Sequence, residues 1–233
     1  SDNLTPEAYS NLGDSYRQTN QIDKAIDAYQ TVVDEFPSDD QTPSALIILG
    51  NLYSEKGQYD TSHNYFELLL EKGSRFEQEA YVGMGAASLA SGNTGLAKTE
   101  FEEALKVNPN NPAASVGLGK VAVSESRFED AKALLAPIAD KSTTISGAEA
   151  QYYLGRIEQD QGNFEAAIEN YSKVRVLFEA FDIWVSKALY NSAESHIRLG
   201  NRGDAISILN GIIENYPDTE GARQAQQLLD SRE

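Results

Sequence analysis

The sequence predicts an all-α protein, a solenoid of six helix hairpins closed by a C-terminal capping helix, forming a single domain over residues 1–233. Three observations carry the prediction. A Leu-Gly or similar pair is followed 13 residues later by a small residue, six times over: Leu12 to Ala25, Leu49 to Ser62, Met84 to Ala97, Leu118 to Ala131, Leu154 to Ala167 and Ser192 to Ala205. Apolar residues within each unit recur three and four apart, the helical period. A Gly or Asn turn divides each unit into two helical blocks.

The first hairpin begins near residue 6, where Pro6 suits the first helical turn, bends at Thr19-Asn20-Gln21 and closes at Pro37. The second begins near 43 with Pro43 and turns at Lys56-Gly57-Gln58; the third begins near 78, turns at Ser91-Gly92-Asn93 and ends at Pro109. The fourth starts at Pro112 and turns at Glu125-Ser126-Arg127, and the fifth starts near 148 and turns at Gln161-Gly162-Asn163. The sixth starts near 186, turns at Leu199-Gly200-Asn201 and ends at Pro217. Four residues beyond each small residue stands a large apolar one: Tyr29, Phe66, Phe101, Leu135, Tyr171 and Leu209. Gly13, Gly50, Gly85, Gly119 and Gly155 each cost about 1 kcal/mol of helix propensity relative to Ala, a loss that close helix contact offsets. The expected contact is Gly against the small residue of the second helix. Each hairpin leaves one apolar face for the next to cover. Residues 218–233 end the array as a capping helix, with Ala222, Ala225, Leu228 and Leu229 on one side and Arg223, Gln224, Gln226, Gln227 and Asp230 on the other. Between the fifth and sixth hairpins the period stretches to 38 residues at Leu177–Trp184. There the expectation is that both neighbouring helices lengthen and that Phe178, Phe181 and Trp184 pack between them; the alternative is an aromatic ledge on the surface.

These residues resemble the tetratricopeptide repeat family, whose 34-residue pattern is W-x2-L-G-x2-Y, A-x3-F and P. Tyr9, Leu12, Gly13, Tyr16, Ala25, Tyr29 and Pro37 occupy the pattern's positions in the first hairpin, whereas the sixth departs most, with Ser192-Ala193 for Leu-Gly and His196 for Tyr. The resemblance implies a right-handed superhelix whose first helices line a concave groove that binds a protein or peptide. The stretch Tyr216–Leu229 resembles the ends of bacterial cell-envelope members, which implies the periplasm or outer-membrane assemblies. The chain opens on Ser1 rather than Met, as expected of a processed or excised fragment. An oligomerisation or regulatory module of a larger envelope protein or enzyme is the alternative function.

Composition narrows the partners. With 36 acidic against 19 basic residues the formal charge is −17, which repels nucleic acid and anionic lipid. No apolar run approaches the ~20 residues that cross a bilayer. There is no Cys, so thiol chemistry and cysteine-held metals are excluded. Gly117, Gly119 and Ala122 imitate a dinucleotide fingerprint, but they lie inside a helix rather than after a strand. His63 is expected on a solvated helix face and His196 as a packing substitute. No catalytic, metal or cofactor site can be assembled, and no cofactor is expected.

At ~100° per residue, the face of each first helix opposite its packed stripe collects a candidate partner-binding groove. Its members are Ile47 and Asn51, Val82, Val116 and Lys120, Tyr152 and Arg156, and Tyr190, Glu194 and Arg198. Ile47, Val82, Val116, Tyr152 and Tyr190 would form an apolar floor; the same positions also suit packing between successive first helices. Lys120 and Arg156 would hold an acidic group of a partner or neutralise Glu149 and Glu194. The family's clamp for chaperone C-termini is missing its cations: Ser10, Asp14, Val82 and Ala86 stand where Lys, Asn, Lys and Arg would be needed.

Overall fold

The computed structural model describes residues 4–231. First helices α1 (Pro6–Gln18), α3 (Thr42–Glu55), α5 (Glu77–Ala90), α7 (Pro112–Ser124), α9 (Ile145–Asp160) and α11 (Asp182–Arg198) alternate with second helices. The latter are α2 (Ile22–Glu35), α4 (Tyr59–Leu70), α6 (Thr94–Val107), α8 (Phe128–Lys141), α10 (Phe164–Leu177) and α12 (Arg202–Asn215), and α13 (Glu220–Asp230) follows. The described residues contain no strand. The protein is an all-α array of helix hairpins, divided into two compact units, Ser1–Gly117 and Leu118–Glu233.

Five of the six turns fall where a Gly or Asn residue places them, and the fourth falls at Ser126. Each contains one left-handed residue, with φ of 56° at Asn20, 72° at Gly57, 86° at Gly92, 57° at Ser126, 80° at Gly162 and 81° at Gly200. Ser126 adopts this conformation without the freedom of Gly. Thr5, Asn93 and Thr219 cap α1, α6 and α13 by accepting hydrogen bonds from the backbone N–H of Ala8, Leu96 and Ala222.

The repeat glycines do not face the small residues. A Cβ built on Gly13 would lie 2.6 Å from the Tyr29 ring, on Gly50 2.6 Å from Phe66, on Gly85 2.8 Å from Phe101, on Gly119 2.6 Å from Leu135 and on Gly155 2.6 Å from Tyr171. Each glycine thus makes room for the large residue four positions beyond the small one, because that side chain is long enough to reach across the hairpin. Two rings in the first unit are held from both sides. Gly83 on the next first helix would put a Cβ 2.3 Å from Phe66, and Gly117 would put one 2.4 Å from Phe101.

The stretched period is absorbed by α11, which begins at Asp182 rather than at the expected 186, whereas α10 is no longer than the other second helices; α9 also begins early, at Ile145 rather than 148, but ahead of the stretch. Phe178 is buried and its ring meets Gly147; Trp184 is half-buried against the cluster of Tyr152, Tyr171, Val174 and Val185. These two aromatics therefore pack rather than form a ledge, and Phe181 is half-buried. α13 buries Ala222 and Ala225 against the cluster containing Leu209 and Ile212, with Arg223, Gln226, Gln227 and Asp230 exposed.

Candidate functional site

In the second unit α9 and α11 bring Arg156, Glu194 and Arg198 into one open cleft of about 400 Å³, shared with Gln159, Asp160, Gly162 and Phe164. The spacing does this directly: Arg156 and Asp160, and Glu194 and Arg198, are each one helical turn apart and share a helix face. Arg156 Nε donates to Asp160 Oδ1 at 2.9 Å. Burial disfavours its charge, but that bond and the carboxylate's field outweigh it and hold the guanidinium pKa above its ordinary value. No acidic group among the described residues lies within ion-pair range of Arg198, which is exposed.

Beneath the cleft lies a buried polar network. Asn191 Nδ2 donates to Tyr152 Oη at 2.7 Å, and Tyr171 Oη donates to Gln159 Oε1 at 2.7 Å. Burial pushes the Tyr152 and Tyr171 phenols up from their ordinary pKa, so both stay protonated. The Tyr152 ring centroid lies 5.7 Å from that of Tyr171 and 5.3 Å from that of Trp184. The network ties α9, α10 and α11 together and gives the cleft a fixed floor.

Lys120 points elsewhere. Its Nζ lies 2.7 Å from Glu149 Oε1 and 5.6 Å from the centre of the Tyr153 ring. Burial works against its charge, but Glu149 and Tyr153 outweigh it, and the ammonium pKa stands above its usual value. The lysine is thus paired inside its own chain.

The apolar members of the groove are packed to different depths. Val116 is 1% exposed and Tyr152 9%, so neither offers much side chain to a partner. Ile47 is half-buried against the cluster of Leu46, Phe66, Leu69, Ala80 and Met84, and Tyr190 is half-buried against the cluster around Leu209. Val82 is half-buried and Asn51 exposed. Position on the helix wheel marked the face but not its cover, because each first helix also packs on its neighbours. Asp160, Phe164 and Asn191 were not among the candidates; Asp160 was detectable as the acid one turn beyond Arg156, and Asn191 as an amide inside an apolar stripe.

His63 is not a solvated residue. Its Nε2 lies 2.6 Å from Oε1 of Glu100, a carboxylate on α6 that is 4% exposed. The expectation failed because a histidine in a second helix looks solvated until the buried acid on the next second helix, 37 positions on, is placed beside it. His196 is half-buried, its Nδ1 3.9 Å from Asp204 Oδ2. Among the described residues no three His, Cys, Asp or Glu side chains gather in a metal-holding group, and no helix is long and apolar enough to cross a membrane. Gly117 and Gly119 are occupied by packing against Phe101 and Leu135.

Helix hairpins in register, glycines seated on the large residues of the second helices, and side chains displayed from the first helices define a helical repeat protein. The chain belongs to the tetratricopeptide repeat family: four models of that description match residues 4–72, 88–144, 118–180 and 187–219. Among solved structures, a tetratricopeptide repeat protein from Parabacteroides merdae is 16% identical with a TM-score of 0.80, over 99% of this chain and 85% of that one. PilW, a type IV pilus biogenesis factor, is 17% identical with a TM-score of 0.68, over 97% and 99%. The Cut9–Hcn1 assembly of the APC/C provides a chain that is 18% identical with a TM-score of 0.71, over 96% of this chain and 42% of that one. At these identities the likeness is one of fold. No curated protein matches the chain.

Proposed function

We propose that the protein is a non-catalytic interaction scaffold that binds a peptide or protein segment along the faces of its first helices, with the α9–α11 cleft as the anchoring point. The observation that carries this reading is the pair of exposed guanidinium groups, Arg156 and Arg198, standing over the rigid Tyr152–Asn191 network in a chain of charge −17. Arginine is the side chain best suited to grip a carboxylate by two parallel hydrogen bonds, and interface energy concentrates on such anchors. The segment recognised is therefore acidic at one position, with uncharged residues on either side, since further acids would meet Asp160 and Glu194. Nucleic acid and membrane insertion are not part of the proposal. The envelope location implied by the sequence stands apart from it.

Selection from a random peptide library tests this. Peptides enriched on the wild-type chain should share an Asp, Glu or free C-terminal carboxylate, and Arg156→Ala and Arg198→Ala should each weaken their binding by about 1–3 kcal/mol. Peptides that bind both variants with wild-type affinity would remove the cleft from the function.

A further inference from the structure

In the first unit the start of α4 meets the end of α5 and the start of α6 around an open cavity of about 260 Å³, whose lining includes Tyr59, Asp60, His63, Ser88, Ser91 and Leu96. No Lys or Arg lines it, and its setting is acidic: Asp60 faces it directly, while Glu67 and Glu100 lie 3.8 and 2.6 Å from the two ring nitrogens of His63. Two acceptors there are unsatisfied. Ser88 is 3% exposed and its Oγ has no hydrogen-bond partner; Glu100, behind His63, is 4% exposed and its Oε2 has none either. A buried polar group without a partner is costly, so a hydroxyl left over in the wall of a cavity points to a guest that can bond it.

The preceding hairpin junction shows what fills the equivalent place. Asp23 and Asp60 each stand two residues before the small residue of their second helix, Ala25 and Ser62. Lys56 and Ser91 each stand six before the next one, Ser62 and Ala97, and Tyr53 and Ser88 each stand four beyond Leu49 and Met84. Where α2 meets α3, the Lys56 ammonium rests on Asp23, Nζ 2.6 Å from Oδ1, and Tyr53 packs against the cluster of Ala25, Ile26 and Leu49. Where α4 meets α5, the aspartate is kept but the lysine and the tyrosine are both serine. The cavity lies where those two longer side chains would be, and Asp60 is exposed.

We infer that this cavity is a second binding site, independent of the α9–α11 cleft, and that it takes a primary alkylammonium group, from a lysine side chain of a partner or from a free diamine. Asp60 receives the charge as Asp23 receives that of Lys56. The hydroxyls of Ser88 and Ser91 are the further acceptors; that of Ser91 gives its own proton to the Ser88 carbonyl at 2.9 Å and so turns its lone pairs to the guest. Tyr59 and Leu96 offer apolar surface to the alkyl stem. An ammonium carries three donors and no acceptor, which matches a carboxylate with two hydroxyls, whereas an anion would meet Asp60, Glu67 and Glu100 with no Lys or Arg to receive it.

The test uses the whole chain and two probes, lysine blocked at its α-amino and carboxyl groups and the diamine cadaverine, titrated by NMR beside pentanol as a neutral stem. Both amines should shift the amide resonances of Asp60, His63, Ser88 and Leu96, pentanol should not, and the tighter amine names the source. Asp60→Asn should weaken amine binding about tenfold, as loss of a charge-assisted hydrogen bond does. Ser91→Lys should abolish it by supplying the ammonium from within the chain, as Lys56 does at the preceding junction. Asp60 and Ser91 are both exposed, so each variant should keep the circular dichroism spectrum of the wild-type chain. No saturable shift with either amine, equal binding of pentanol, or amine affinity unchanged in either variant would overturn the proposal.

Discussion

Gly83→Ala should destabilise the protein although it replaces the poorer helix former with the best one. A Cβ at Gly83 would stand 2.3, 2.4 and 2.5 Å from three atoms of the Phe66 ring. Carbon atoms rest about 3.5–4.0 Å apart, so the ring must retreat by more than 1 Å. It cannot do so freely, because the backbone of Gly50 closes the other side at a separation that would bring a Cβ there within 2.6 Å. Overpacking of this kind costs about 1–3 kcal/mol, and the propensity gain returns about 1 kcal/mol, leaving a net loss of up to about 2 kcal/mol. Gly211→Ala is the matched control: it lies within α12 with nothing inside 4 Å of its Cβ and should stabilise by up to about 1 kcal/mol. Urea unfolding followed by circular dichroism at constant m-value gives both numbers. Adding Gly83→Ala to a Phe66→Ala background should reverse its sign, since the ring that it strikes is gone. If Gly83→Ala stabilises the wild-type chain as Gly211→Ala does, the sandwiched-ring reasoning is wrong.

Asn191→Ala should destabilise by about 1–3 kcal/mol by leaving the Tyr152 hydroxyl buried without its partner, while Arg198→Ala leaves thermal stability nearly unchanged; differential scanning calorimetry of the two variants compares them. The Tyr29 phenol is pushed up to about 12 by burial and by its 2.6 Å hydrogen bond to Asp14. A folded pKa above the unfolded value means that its contribution is complete below the unfolded pKa of about 10 and is lost as pH rises through 12. Unfolding free energy measured from pH 9 to 12 should therefore fall, and Tyr29→Phe should flatten the fall. Deleting residues 218–233 should lower the melting temperature and promote association by exposing Leu209 and Ile212, as scanning calorimetry and sedimentation would report.

The hairpin register was legible because the same positions recur: Leu12 with Ala25 and Tyr29 repeats as Leu118 with Ala131 and Leu135, and the helices and turns follow it. The cap was legible for a similar reason, since Ala222 and Ala225 alternate with Arg223 and Gln226 at helical spacing. What each position touches was less legible. Gly50 accommodates Phe66 rather than Ser62, because side-chain reach and not axis distance decides the contact. Val116 and Tyr152 share a helix face with the exposed Asn51 and Arg156, yet neighbouring helices cover the first two. Burial there depends on the depth at which hairpins stack, which a one-dimensional period does not contain. His63 with Glu100 and Tyr152 with Asn191 are pairings 37 and 39 positions apart, and nothing in local spacing selects them.

Binding along the first helices is tested most directly by amide hydrogen exchange on the whole chain, free and saturated with an acidic peptide selected on it. Residues 152–160 of α9 and 190–198 of α11 should gain protection in the complex, and Arg156→Ala with Arg198→Ala should remove that gain while leaving the exchange of the free chain unchanged. Protection confined to the second helices α8, α10 and α12, with affinity indifferent to both arginines, would place recognition on the opposite face and contradict it.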